Sequence, residues 1–148
     1  MNSTDHACLR YAERIMNLEG SQAKQYARFY KDNIRSYIER THAHARFLWR
    51  GQLGTNQVRN FYLRDDIILI TDQYDHCVIT LYRADYGFSQ STNRQFVKEL
   101  LELIKHKEDL LTKTKDKRKA AQIQHEIEDC SIKIINSIEY RIELEQVS

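Results

Sequence analysis

Arginine is the side chain of this sequence with the most to offer a charged ligand, and it is unevenly spread. Residues 1–88 hold ten Arg and two Lys, whereas residues 89–148 hold three Arg and eight Lys. A guanidinium makes planar, forked contacts to phosphates and carboxylates, while the Lys ammonium is a strongly hydrated point charge. The first segment therefore reads as a recognition surface and the second as a solvated helical frame. The competing use of the arginines is internal pairing, since residues 1–88 also hold ten Asp and Glu. His6, Arg10 and Arg14 fall at i, i+4 and i+8, so a helix puts them on one face, nearly opposite the apolar stripe Cys8, Tyr11, Ala12 and Ile15. Lys24, Arg28, Lys31 and Arg35 make a second basic stripe, which is either a nucleic-acid-binding face or a solvated one. Alternation along a strand over Cys77–Arg83 groups Val78, Thr80 and Tyr82 on one side and Cys77, Ile79 and Leu81 on the other. The hydroxyls make the Thr80/Tyr82 side the better functional candidate. His42 and His44 have no Cys or acidic residue at ligand spacing beside them, so no metal site is expected.

The elements that must position these groups follow from periodicity and punctuation. Ser3 or Thr4 can cap a helix over residues 4–17 that Gly20 ends, and a longer helix is expected over residues 21–46. Its inward stripe is Ala23, Tyr26, Ala27, Tyr30, Ile34, Tyr37 and Ile38. An antiparallel meander follows, with strands over 45–50, 58–63, 67–71 and 77–83, a Gly51/Gly54 loop, a tight Asp65-Asp66 turn and a polar loop over 72–75. The third strand is almost wholly apolar and is expected at the centre. One helical layer cannot cover both faces of this sheet, so the other face meets water, a ligand or the C-terminal helices. After Gly87 there is neither Gly nor Pro. Apolar residues recur every three or four positions over 93–112 and 120–146, separated by the basic run 113–119. This predicts a helical hairpin, or one long helix that pairs with a second copy. The fold expected is α+β: two N-terminal helices on a four-stranded antiparallel sheet, residues 1–88, then a hairpin or coiled-coil extension, residues 89–148.

A chain of 148 residues suits one domain, or a small domain with an appendage. No apolar run approaches the ~18–20 residues that span a bilayer, and MNSTDHACLR lacks a signal-peptide pattern, so a cytosolic location is expected. Three scattered cysteines, Cys8, Cys77 and Cys130, argue for free thiols rather than a disulfide framework. P-loop, GxGxxG, GxSxG and HExxH patterns are all missing, so nothing supports nucleotide hydrolysis, dinucleotide binding or zinc-protease chemistry, and no cofactor is expected. A net charge of +2, with no convincing recognition helix, also speaks against a DNA-binding protein.

The run His6-Ala7-Cys8-Leu9-Arg10-Tyr11-Ala12-Glu13-Arg14 has the form HA..R..ER, and Val78-Ile79-Thr80-Leu81-Tyr82 forms a closing strand. Together they resemble phage and prophage proteins of the barnase/EndoU/colicin/RelE-like nuclease group, over residues 1–88. The resemblance implies a metal-independent ribonuclease in which the RNA 2′-hydroxyl is the nucleophile. It implies His6 as general acid or base, suited by the ordinary imidazole pKa of about 6.5. Arg10 and Arg14 would hold the phosphate, and Thr80 and Tyr82 would offer hydroxyls. The alternative is a non-catalytic phage protein that binds a host or defence factor through its sheet or its C-terminal helices. On either reading the setting is the host-cell cytoplasm. RNA, a host protein or a second copy of the chain are the partners expected.

Overall fold

The computed structural model describes residues 2–54 and 57–147. The chain runs β1 (Asn2–Ser3), α1 (Asp5–Arg14), α2 (Gly20–Phe29), α3 (Lys31–Ala43), β2 (Arg46–Gly51), β3 (Arg59–Arg64), β4 (Ile67–Asp72), β5 (Cys77–Arg83), α4 (Gln90–Lys113), α5 (Lys117–Ile135) and α6 (Ile138–Val147). This is the expected α+β architecture. The four antiparallel strands start and end within a residue of their expected bounds. Part of the Gly51/Gly54 loop, residues 55 and 56, lies outside the described residues.

The sheet order is β1-β5-β4-β3-β2, with β1 added in parallel beside the first residues of β5. Strand β4 is central, and Ile67 to Thr71 are all buried, as its unbroken apolar run requires. The Asp65-Asp66 turn closes β3 onto β4, with Asp65 in the left-handed region at φ 54° that Asp tolerates.

Each face of the sheet carries its own core. On one face Ile67, Leu69, Val78 and Leu81 pack against Ala7, Cys8 and Tyr11 of α1 and Ile34 and Ile38 of α3. On the other, Leu48, Phe61, Leu63, Ile68, Ile70, Tyr82 and Ala84 pack against Val97 and Ile104 of α4, Cys130, Ile134 and Ile135 of α5, and Tyr140 of α6. The C-terminal helices are thus what covers the second face, and a single core joins residues on both sides of position 88. The chain folds back between α4 and α5 where the apolar pattern lapses. Asp116 caps α5 by accepting from the main-chain N–H groups of Arg118 and Lys119.

Two local expectations differ. The long second helix is two helices, broken at Tyr30 (φ −110°, ψ 25°) with neither Gly nor Pro to mark the break. The break takes Tyr30 off the inward stripe, and it is exposed while Ile34 and Ile38 stay buried. Gly20 opens α2 rather than ending α1. The chain turns after α1 at Asn17, which adopts φ 57°.

Candidate active site

Helix α1 lies along β5 and protects an edge. Strand β1 covers only Cys77 and Val78, leaving the outer edge of β5 open beyond them. Thr4 caps α1 by accepting from the Ala7 N–H at 3.0 Å, and its hydroxyl donates to the Ile79 carbonyl at 3.0 Å. At the far end of the helix, Arg14 Nη1 donates to the Leu81 carbonyl at 3.0 Å and lies 3.4 Å from Thr80 Oγ1. Residues some 66 positions apart therefore meet because the helix and the strand edge run side by side.

The residue that completes the cluster is Glu143 of α6, to which the sequence gives no signal. Its Oε2 accepts from Arg14 Nη2 at 2.5 Å. Its Oε1 lies 2.9 Å from His6 Nε2 and 3.8 Å from Arg10 Nε. Arg10 Nε also approaches His6 Nε2 at 3.4 Å, but one ring nitrogen cannot serve both neighbours as donor and acceptor. The shorter contact to a carboxylate is the stronger, so Nε2 carries the proton and donates to Glu143. Arg10 pairs further with Glu13 at 3.1 Å, and Arg14 Nε with Glu139 at 3.5 Å. The Glu143 side chain is 11% exposed and that of Arg14 is 8%. Burial on its own would raise the Glu143 pKa. The His6 hydrogen bond and the charges of Arg14 and Arg10 outweigh it and bring the carboxyl down to about 2 from 4.5.

His6, Arg10, Arg14 and Thr80 are thus brought together. His6 is the most open of them, its side chain 43% exposed, whereas Thr80 is only 5% exposed. A depression of about 350 Å³ beside Arg14 is lined by Glu13, Arg83, Phe88 and Glu139. Tyr82 does not join the cluster. It is fully buried, and its hydroxyl donates to the Ile135 carbonyl at 2.8 Å, as Tyr86 donates to Ile134 at 2.7 Å. These two phenols satisfy carbonyls at the end of α5 that have no partner within the helix. The simple alternation of β5 fails as well. Ile70 pairs with Thr80 but Thr71 with Val78, so Ile79 is an extra residue in a bulge. Val78 then faces α1 and α3, while Tyr82 faces α5 and α6.

The other basic candidates divide. Lys31 and Arg35 both pair with Asp5 at 2.8 Å, while Lys24 and Arg28 are exposed on α2. The two histidines part company too. His42 packs edge-on against Tyr62, ring centres 4.5 Å apart, and burial lowers its pKa. His44 is exposed. The Tyr62 hydroxyl donates to Asp75 at 2.8 Å, and burial followed by that contact pushes the phenol up to about 12. Thr71 and Asn60 also donate to Asp75, which fixes the loop between β4 and β5. Among the described residues no group of three or more His, Cys, Asp or Glu is arranged to hold a metal ion. No helix among them is long and apolar enough to cross a membrane.

No family model matches the chain, and comparison with curated proteins and with solved structures likewise gives no match.

Proposed function

We propose that the cluster between α1 and the β5 edge is a metal-independent ribonuclease site, held closed in this conformation by Glu143. The observation that carries the reading is the surroundings of that carboxylate. An anion sits enclosed by an imidazole N–H and the Arg14 guanidinium, with Arg10 close by, and its pKa of about 2 reports how strongly these groups favour negative charge there. The same three side chains are those that the nuclease resemblance assigns to a scissile phosphodiester. Glu143 itself is a poor candidate for the general base, because an effective base has a pKa near the working pH. It stands instead where a phosphate would sit.

On this reading, α6 swings aside and the phosphate takes the place of the carboxylate. The 2′-oxygen attacks phosphorus, the P–O5′ bond breaks, and a 2′,3′-cyclic phosphate and a 5′-hydroxyl result. His6 serves one of the two proton transfers and solvent water the other. Arg10 and Arg14 compensate the charge that gathers on the phosphoryl oxygens, and the Thr80 hydroxyl orients Arg14.

The test is incubation with single-stranded RNA in excess chelator. Products ending in 2′,3′-cyclic phosphate are expected, and His6→Ala should slow their appearance by ~10²–10⁴-fold. RNA left intact by both the wild-type chain and Glu143→Gln would sink the proposal. One observation favours a second reading, that of a non-catalytic interaction protein for a host or defence factor. Glu139 and Glu143 of α6 both pair with Arg14 of α1, as a clasp fastening α6 to α1 would.

A further inference from the structure

A second concavity lies away from Glu143. It is a groove of about 790 Å³ between the β3–β4 turn, the end of β5 and one side of α4. Its lining is strongly basic. Arg83 and Arg94 both bind the buried Asp66 carboxylate, Arg83 through Nη1 at 2.9 and 3.0 Å and Arg94 through Nε at 3.1 Å. Arg46 pairs with Glu108 across the groove wall, and its Nε is a buried donor with no acceptor. Arg64, Lys98 and Lys105 are exposed and form no ion pair with another described residue. Six lining cations thus face Asp65 and Asp66, with Glu108 opposed to Arg46, which leaves three positive charges in excess. Tyr37, half-buried with its ring 5.1 Å from that of Tyr11, and the exposed His44 also line the groove, with the apolar Leu63, Ile67, Val97 and Leu101.

We infer that this groove binds a single-stranded polynucleotide, its phosphates on Arg64, Lys98 and Lys105 and its bases against Tyr37 and His44. An excess of positive charge along an open groove with aromatic platforms suits a flexible polyanion whose every unit carries both a charge and a flat ring. An acidic peptide would meet the charges but leave the rings and apolar floor without a matching surface. Asp66 acts here as a support that fixes two guanidiniums at the rim. Arg83 lines both this groove and the depression beside Arg14, so the two are adjoining. A strand lying in the groove is led towards the α1–β5 cluster. That direction rests on the ribonuclease reading, whereas the binding itself does not.

The experiment uses the full chain and fluorescein-labelled 12-nucleotide strands, one 2′-O-methyl RNA and one DNA, neither of which can be cut by attack of a 2′-hydroxyl. Anisotropy is followed against salt, with a fluorescent poly-glutamate peptide of the same length as the third arm. Saturable binding of one or both strands is expected, with a log–log salt slope of about −2 for three phosphate contacts. The combined variant Arg64→Glu, Lys98→Glu, Lys105→Glu should weaken it at least about tenfold. The neutral set Arg64→Gln, Lys98→Gln, Lys105→Gln should fall between and flatten the slope, with an unchanged melting curve showing that both sets fold. A preference between the two strands identifies RNA or DNA as the ligand. Binding of neither strand, binding indifferent to the groove variants, or binding of the peptide alone would each overturn the inference. Because no strand is cleavable, these outcomes are independent of whether the chain is a nuclease.

Discussion

Glu143 links chemistry to stability at the level of a single side chain. Its carboxyl lies at about 2 in the folded chain and near 4.5 when free. A carboxylate with a depressed folded pKa stabilises the fold at all pH values above its unfolded one, and the contribution is lost as pH falls from 4.5 towards 2. The difference corresponds to about 3 kcal/mol. Acid denaturation followed by urea unfolding should therefore show a drop of that order between pH 5 and pH 2 that Glu143→Gln largely removes. Equal pH slopes in the two proteins would mean that Glu143 is not held by cations in solution. The sequence disclosed the other half of this site. Spacing of four placed His6, Arg10 and Arg14 on one helix face, and that placement follows from helical geometry alone. Glu143 was not legible, because it is one of several acidic residues in the final helix and nothing local says that it turns inward. Tyr82 was misread for a different reason: it stays on the Thr80 side of β5, but α5 and α6 bury it there, and the bulge at Ile79, which alternation counted along one strand cannot reveal, displaces only Val78.

The elements around the site show how the fold fixes its position. Tyr82 and Tyr86 terminate α5, and Ser137 at the α5–α6 corner accepts from the Asp85 N–H at 2.9 Å while Ile138 N–H donates to the Asp85 carbonyl at 2.9 Å. The start of α6 is therefore pinned to the end of β5, whereas its later turns reach α1 through Glu139 and Glu143. Tyr82→Phe removes one of two hydrogen bonds to the Ile135 carbonyl, which keeps the Ser137 N–H at 2.7 Å, and should lower stability by about 1 kcal/mol in urea unfolding. A neutral result would show that the hydroxyl has no structural role. The strands were legible because β-branched and aromatic runs stand between clear turn residues, and β4 declared its central place by being apolar throughout. The hairpin was legible as a lapse of apolar residues over 113–119. The break at Tyr30 was not. It comes from packing α2 and α3 separately against α1, a tertiary demand that no Gly or Pro announces.

At the scale of the whole molecule, two helical layers bury the two faces of one sheet. Removing residues 89–148 would expose Leu48, Phe61, Leu63, Ile68, Ile70 and Tyr82 together. The 1–88 fragment should accordingly aggregate or fail to fold, and a soluble fragment with a cooperative melt would show that the first face alone suffices. In the intact chain the apolar stripes of α4 and α5 pair with each other, so light scattering should give the mass of one chain, 17.7 kDa. A stable dimer would point to the exposed Leu103 and Leu110 on α4 as a further interface. The central claim is that His6, Arg10 and Arg14 form a phosphodiester site which Glu143 occupies, and the direction of one substitution tests it most directly. Single-stranded RNA is incubated in excess chelator with the wild-type chain, Glu143→Gln, and Glu143→Gln combined with His6→Ala. If the carboxylate stands in for a phosphate, Glu143→Gln should cleave about tenfold faster or more, since each 1.4 kcal/mol released is a decade in rate, and the added His6→Ala should slow cleavage by ~10²–10⁴-fold. Cleavage that falls in Glu143→Gln would make the carboxylate part of the catalytic machinery, and no cleavage by any of the three would make the cluster a clasp; either result contradicts the claim.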